Sequence, residues 1–191
     1  MKEIRLDEQR FERIGQPELI YGASKTKDQL HNILQQRRSQ NKNSLVTKLS
    51  PEQAAPLLEN FNGLHYDNEA QTLSDMLTEA DQRNGKITLI CAGTSDVPIL
   101  KEAQRTADYL GIRTHAICDV GVAGIHRLME TLPECDDSDV IICFAGFEGA
   151  LPSVLAGLVK QPVIGVPTSV GYGVSAGGVA AFQAMLSSCA Q

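Results

Sequence analysis

The stretch Lys86–Asp96, with the sequence KITLICAGTSD, decides the fold of the larger part of this chain. Its first seven residues form an apolar run that is typical of a buried strand. Gly93 begins an exit turn, and Val97 begins a helical pattern that carries Pro98 in its first turn. Strand, short turn and helix in this order predict the first unit of an α/β domain.

The same alternation continues toward the C-terminus. It predicts strands at 86–92, 114–118, 140–144 and 162–166, and helices at 97–110, 123–132, 150–159 and 175–188. Because helices separate the strands, the strands are expected to pair in parallel through right-handed crossovers. We therefore predict a doubly wound parallel α/β domain over residues 86–191, with ligands at the carboxyl ends of its strands.

Residues 1–85 predict a smaller α/β appendage with few apolar residues. Its expected elements are short strands at 18–22 and 45–47, helices at 6–13 and 26–38, and a hairpin within 64–73. Ser50-Pro51-x-Gln53 has the pattern of a capping box, which predicts a helix from there to Asn60.

Composition excludes several classes of protein. The 191 residues carry 17 Lys and Arg against 23 Asp and Glu, and a net charge of −6 argues against a nucleic-acid partner. No apolar run approaches the ~18 residues of a membrane span, and no signal peptide follows Met1. The five cysteines form no C-x-x-C pair, which argues against a disulfide framework and a structural zinc site. A cytoplasmic protein without a bound metal is expected.

Charge is unevenly distributed along the chain. From Val140 to Gln191 the only charged residues are Glu148 and Lys160. Such a stretch is not an ordinary solvated surface, and it is expected in the core, around a ligand or in a subunit interface. This asymmetry predicts a homo-oligomer assembled through residues 140–191.

The turn Gly93–Asp96 lies between a predicted strand and a predicted helix. Backbone N–H groups at such a position bind anions, and the hydroxyls of Thr94 and Ser95 add hydrogen-bond donors. Asp96 would repel a phosphate but accept hydrogen bonds from a ribose. The alternative is a plain helix cap.

The segment Asp119–Arg127 leaves the second strand in the same way. Gly121 permits the close approach of a ligand, and His126 has a side chain that titrates near neutral pH. The alternative is an Asp cap followed by a solvated His-Arg pair.

Glu148 is the only acid in the last 52 residues, and it lies between Gly146 and Gly149. A carboxylate in apolar surroundings is a candidate general acid or base, because desolvation raises its pKa. The alternative is a glutamate in the first turn of a helix, stabilised by the helix dipole.

The loop Pro167–Ser175 is rich in glycine and hydroxyl groups, and it suits ribose or phosphate binding. Its Gly171-x-Gly173 spacing departs from the dinucleotide fingerprint and follows the fourth strand, so a Rossmann NAD site is rejected. Cys189 follows the last predicted helix, whose negative dipole end disfavours a thiolate. Its position alone predicts an ordinary buried cysteine.

Together these turns resemble the LarB branch of the aminoimidazole-ribonucleotide carboxylase (PurE-like) superfamily, which has a flavodoxin-like three-layer fold. The resemblance covers nearly the whole chain. It is carried by GxPExIYGxxKT at 15–26, CAGTSD at 91–96, DVGVAGIHR at 119–127, EGALPS at 148–153 and PTSVGYG at 167–173.

The resemblance implies a carboxylase and hydrolase in nickel-pincer cofactor synthesis. Such an enzyme converts nicotinic acid adenine dinucleotide and CO2, or bicarbonate, to pyridinium-3,5-biscarboxylic acid mononucleotide and AMP through a cysteinyl-pyridine adduct. It implies no tightly bound cofactor, leaves a role for Mg2+ open, and implies a homo-oligomer, the octamer being the form known for the superfamily.

The resemblance also distributes roles among residues. It assigns the thiol to Cys189, and we assign the base to Glu148 and add His126 to the catalytic set. The expected substrate-binding residues are Lys25, Gly93, Thr94, Ser95, Asp96, Asp119, Gly121, Gly146, Gly149, Ser169, Gly171 and Tyr172.

Two departures from the superfamily pattern leave alternatives open. Purine-pathway carboxylases carry a histidine where this chain has Ala150, and related chains continue past the position of Gln191 into another strand. The second departure implies a truncated chain with an incomplete active-site wall. The alternatives are a purine-type carboxylase or mutase and a non-catalytic nucleotide-binding protein.

Overall fold

The computed structural model describes residues 4–7, 9–78 and 85–190, and the chain divides into two compact units. The first unit comprises residues 1–82 with 109–111, and the second comprises the remaining residues.

The first unit contains a mixed four-stranded sheet with the order β1-β2-β4-β3. Strands β1 and β2 are parallel, and the other neighbouring pairs are antiparallel. Its elements are α1 (Arg10–Ile14), β1 (Ile20–Tyr21), α2 (Lys27–Ser39), β2 (Ser44–Thr47), α3 (Pro51–Asn60), β3 (His65–Asp67) and β4 (Thr72–Asp75). Leu30, Leu34, Val46, Leu57 and Leu73 are fully buried in its core.

Two predicted local features of the first unit are confirmed. Ser50 caps α3, with its hydroxyl accepting the N–H of Gln53 at 3.3 Å, and the Ser50 N–H donates to Gln53 Oε1 at 3.2 Å. The hairpin pairs Tyr66 with Leu73. Both features depend on residues close in sequence, which is why local patterns predict them.

The second unit contains a parallel four-stranded sheet with the order β6-β5-β7-β8, which confirms the predicted fold class. Its strands are β5 (Lys86–Cys91), β6 (Arg113–Ile117), β7 (Val140–Ala145) and β8 (Val163–Pro167). Its α-helices are α4 (Val97–Tyr109), α5 (Ile125–Thr131), α6 (Leu151–Ala156) and α7 (Val179–Leu186), and 3-10 turns occupy Thr94–Asp96, Val122–Gly124, Leu132–Cys135 and Gly173–Gly178.

Apolar side chains of β5 alternate between the two faces of this sheet. Leu89 packs with Leu100 of α4 on one face, and Ile90 packs with Leu128 of α5 and Leu151 of α6 on the other. The chain leaves β5 for β6 on one side and returns to β7 on the other side. This reversal opens a crevice at the carboxyl ends of β5 and β7, where open α/β sheets bind ligands.

The start of the last helix differs from the prediction. A helix was expected from residue 175, but Ala176 has ψ 140° and Gly177 has φ +75°, and α7 begins only at Val179. Gly178 also has a positive φ, and a Cβ atom there would lie 2.6 Å from the carbonyl oxygen of Thr168. Close contact with the loop after β8 therefore delays the helix, and local propensity does not report that contact.

The charge-poor C-terminal stretch forms apolar surface as well as core. Val174 is 96% exposed and Leu186 is 72% exposed, and Val179 and Phe182 are also exposed. In the part of the chain that the structure describes, no helix is long and apolar enough to cross a membrane.

We propose that a second copy of the chain covers this apolar surface, because large exposed apolar patches mark contact sites. Sedimentation at micromolar concentration should give a mass of at least two chains, each of 20.7 kDa. Leu186→Glu should weaken association by about tenfold or more, because a charge would enter the contact. Leu58→Glu, at an exposed leucine of the first unit, is the matched control. A wild-type protein that sediments as a monomer would contradict the proposal.

Candidate active site

Four loops follow the four strands of the second unit at the carboxyl edge of the sheet. They comprise residues 92–96 after β5, 118–124 after β6, 146–150 after β7 and 168–178 after β8, and we call them the carboxyl-edge loops. All four contain residues that the sequence predicted to bind substrate. The geometry of the edge follows from the contacts that join these loops.

Asp96 and Thr168 form the central contact. The Thr168 hydroxyl donates to Asp96 Oδ1 at 2.6 Å, and the Gly93 N–H donates to Asp96 Oδ2 at 3.1 Å. The Thr168 N–H donates to the carbonyl oxygen of Ala145 at 3.0 Å. Asp96 is 3% exposed, and a buried carboxylate is tolerated when hydrogen bonds compensate its lost hydration. Asp96 therefore joins the loops after β5 and β8, with both oxygens already engaged inside the protein.

The loops after β7 and β8 also pack without space between them. The Phe147 N–H donates to the carbonyl oxygen of Val170 at 2.7 Å. A Cβ atom on Gly146 would lie 2.3 Å from that same oxygen, and one on Gly149 would lie 2.8 Å from the Cα of Ala181. Because these two glycines have no side chain, other backbone segments of the protein can pack directly against them.

The loop after β6 is held against β5. A Cβ atom on Gly121 would lie 2.7 Å from the carbonyl oxygen of Ala92. Asp119 has φ +62°, and its carboxylate accepts a hydrogen bond from the Arg127 guanidinium in an exposed ion pair. His126 lies beside Arg127 near the start of α5, and its side chain is exposed. The sequence treated Asp119 and Arg127 separately, and the structure joins them.

Glu148 is exposed on the loop after β7. The expected desolvation of its carboxylate is therefore absent from this structure. Helix α6 begins at Leu151 after the cap residue Ala150, and its first turn contains no acidic residue. The alternative role as a first-turn glutamate is therefore wrong, and the carboxylate is accessible to a bound molecule.

Three exposed serine and threonine hydroxyl groups accompany Glu148 on the carboxyl-edge loops. Thr94 and Ser95 lie after β5, and Ser169 lies after β8. The backbone of Gly171 has φ +150°, and a Cβ atom there would lie 2.6 Å from the carbonyl oxygen of Ser175. This tight turn presents Tyr172 to solvent.

Cys189 is exposed, so the expectation of a buried cysteine is wrong. Its neighbours Ser188 and Ala190 line a cavity of about 290 Å³ beside β8 and α7. The Ser153 hydroxyl of α6 donates to Ser188 Oγ at 2.7 Å and holds this segment in place. Lys25 lies in the first unit, where its N–H donates to the carbonyl oxygen of Gly22 at 3.0 Å.

Burial separates the remaining cysteines into two groups. It raises the pKa of the Cys91 thiol to about 12, and it also raises the pKa values of Cys135 and Cys143. These three thiols are buried, whereas Cys118 is exposed like Cys189. A nucleophilic thiolate therefore has two accessible candidates.

Within residues 4–7, 9–78 and 85–190, no three side chains of His, Cys, Asp or Glu come together in a group that would hold a metal ion. The described residues thus offer no site that would hold Mg2+ by protein ligands alone.

Sequence reasoning missed two residues of this edge. Thr168 stood out only as one hydroxyl in a loop, because its partner Asp96 is 72 positions away. No sequence pattern around Phe147 predicts its φ of +52°. A glycine would be the ordinary choice for that conformation.

Comparison with known proteins identifies both parts of the chain. Residues 1–76 match the LarB/PurE-like N-terminal domain, and residues 86–190 match the AIR carboxylase family. An uncharacterised protein of Methanocaldococcus jannaschii is 38% identical over 194 aligned positions, which cover 97% of this chain and 75% of that protein.

Two further relatives match only in part. An N5-carboxyaminoimidazole ribonucleotide mutase of Pyrococcus abyssi is 35% identical over 88 residues, covering 43% of this chain and 48% of the mutase. The mutase of Methanocaldococcus jannaschii is 34% identical over 84 residues, covering 42% of this chain and 51% of the mutase. The chain thus matches about half the length of these mutases. Its fold, its two matched domains and its relatives show that this chain belongs to the AIR carboxylase family and has a LarB-like architecture.

Proposed function

We propose that this protein carboxylates and cleaves nicotinic acid adenine dinucleotide, releasing AMP and pyridinium-3,5-biscarboxylic acid mononucleotide. The observation that carries the proposal is the exposed Glu148 on the carboxyl-edge loops of an AIR carboxylase domain that follows a LarB/PurE-like N-terminal domain. The carboxylate is exposed and can meet a substrate proton, and its loop follows β7 at the carboxyl edge, where open α/β sheets generally bind ligands.

Carboxylation of a pyridinium ring first requires a nucleophile. The ring carbons are too electron-poor to attack CO2, so the Cys189 thiolate adds para to the nitrogen, and the electron pair of the broken ring π bond moves to that nitrogen. The resulting dihydropyridine is an enamine. Its carbon next to the adduct attacks CO2, forming the new C–C bond and leaving a carboxylate.

Restoring the aromatic ring then requires a base. Glu148 removes the proton from the newly carboxylated carbon, which regenerates the enamine, and the nitrogen lone pair expels the thiolate. The ring returns to a pyridinium with two carboxylates, and the enzyme regains its thiolate. Water then attacks the phosphoanhydride and releases AMP. Proton transfer in that step is assigned to His126, because its imidazole can both donate and accept a proton and is exposed in the first turn of α5.

Binding of the dinucleotide is assigned to the exposed groups of the same edge. The hydroxyls of Thr94, Ser95 and Ser169 are available to donate to phosphate or ribose oxygens. Asp96 supports these groups by holding the loops together, because both of its oxygens already accept hydrogen bonds.

The second candidate is the mutase reaction named for the Pyrococcus abyssi relative, and that similarity is the observation in its favour. Ala150 argues against the mutase reaction, because its methyl group occupies the position at which purine-type enzymes use a histidine side chain as an acid.

The deciding experiment supplies each substrate in turn. With nicotinic acid adenine dinucleotide and labelled bicarbonate, the protein should form AMP and a labelled nucleotide with two carboxylates. Conversion of N5-carboxyaminoimidazole ribonucleotide instead would favour the mutase, and turnover of neither would favour a binding protein.

Glu148→Gln should lower turnover by roughly 100-fold or more while the affinity for the dinucleotide changes little, because the amide cannot accept the ring proton. Steady-state kinetics and calorimetric binding measure the two effects. Glu130→Gln, at an exposed carboxylate of α5, is the matched control and should leave turnover unchanged. Unaltered turnover in the Glu148 variant would show that another group acts as the base.

Alkylation at neutral pH should modify Cys118 and Cys189 first, because Cys91, Cys135 and Cys143 are buried and their pKa values are raised. The dinucleotide should protect Cys189, since the proposed adduct forms on its sulfur. Mass spectrometry of the digested protein follows each thiol, and Cys118 serves as the exposed comparison. Equal modification of Cys189 with and without the dinucleotide would contradict its assignment.

A further inference from the structure

Two aromatic side chains meet in solvent on the carboxyl-edge loops. The rings of Phe147, after β7, and Tyr172, after β8, have centroids 5.4 Å apart and planes at 88°. Phe147 is 42% exposed and Tyr172 is 79% exposed. Rings at right angles form a corner, in which a flat molecule can lie on one ring face and meet the other ring at its side.

The backbone at Phe147 is held in an unfavourable conformation. Its φ of +52° lies in the left-handed region, which a bulky aromatic residue seldom adopts. The hydrogen bond from its N–H to Val170, and the contact of Gly146 with that same carbonyl oxygen, hold the conformation. Strain of this kind concentrates at ligand sites, where the surrounding structure over-determines it. After the end of β7, this strained conformation is adopted by a residue with an aromatic ring, where glycine would be the ordinary residue.

The chemistry of this corner favours a flat cation. The face of an aromatic ring carries partial negative charge and attracts cations, and a planar cation also gains stacking area. Glu148 follows Phe147 directly and adds a carboxylate on the same loop. A positively charged heteroaromatic ring satisfies both features, whereas a neutral ring satisfies only the stacking.

We infer that Phe147 and Tyr172 bind the pyridinium ring of the substrate and select for its positive charge. The inference rests on the proposed function for the identity of the substrate, and it adds where the reacting half of the dinucleotide lies. The ring then lies beside Glu148, the proposed base. The adenine half is expected to bind elsewhere.

The test uses the two halves of the dinucleotide as separate probes, measured by calorimetry. Nicotinic acid mononucleotide carries the pyridinium, and AMP carries the adenine. Phe147→Gly removes the ring and also suits a positive φ, so the variant should melt no lower than wild type and yet bind nicotinic acid mononucleotide about five- to tenfold more weakly. Its affinity for AMP should change less than twofold.

Tyr172 provides the matching series. Tyr172→Leu should weaken binding of nicotinic acid mononucleotide, and Tyr172→Phe should restore it, because the ring and not the hydroxyl makes the contact. Tyr21→Leu, at an exposed tyrosine of the first unit, is the control and should bind both probes like wild type.

Two results would overturn the inference. The first is that Phe147→Gly and Tyr172→Leu bind nicotinic acid mononucleotide with unchanged affinity. The second is that these variants bind AMP more weakly while their affinity for nicotinic acid mononucleotide is unchanged. The carboxylation assay separates this failure from failure of the proposed reaction. If Phe147→Gly weakens binding of the pyridinium probe but the wild-type protein forms no labelled product, the aromatic site is supported and the proposed reaction is wrong. If Phe147→Gly turns over the dinucleotide with unchanged KM and binds the pyridinium probe with unchanged affinity, the proposed reaction is supported and the aromatic site is wrong.

Discussion

The hydrogen bond between Thr168 and Asp96 is the contact on which the carboxyl edge of the second unit depends. It joins residues that are 72 positions apart and that follow β8 and β5. Asp96 also accepts the Gly93 N–H, and Thr168 donates its own N–H to Ala145 at the end of β7. One buried carboxylate thereby fixes the exits of three strands. Leaving this carboxylate without a partner would be costly, because its buried charge would lose its compensation.

The close packing of the loops at this edge explains the distribution of its small and strained residues. Gly146 and Gly121 lie where any side chain would collide with a neighbouring loop. Phe147 and Asp119 adopt left-handed conformations although neither is glycine. The loops therefore occupy one arrangement, and the groups that remain exposed, including Glu148, Thr94 and Ser169, are presented from a fixed base. A base on such a loop is held in one position relative to the neighbouring hydroxyl groups, which suits the orientation of a bound substrate.

Local patterns predicted the scaffold well and the chemistry of the site less well. The apolar run of β5 and the capping box at Ser50 needed only neighbouring residues, and both were confirmed. The exposure of Glu148 was not predicted, because its apolar neighbours in the sequence indicated burial. The exposure of Cys189 was not predicted either, because its position after the last helix indicated an ordinary buried cysteine. Uncharged sequence is also compatible with apolar surface, as Val174 and Leu186 show.

The sequence by itself determined the alternation of strands and helices, the parallel sheet and the family resemblance, because these follow from hydrophobic periodicity and from motifs of adjacent residues. Only the tertiary structure decided which loops touch. The pairing of Thr168 with Asp96, the corner formed by Phe147 and Tyr172, and the late start of α7 at Val179 all arise between segments distant in the chain. Such contacts depend on strand order and packing, which no local pattern encodes.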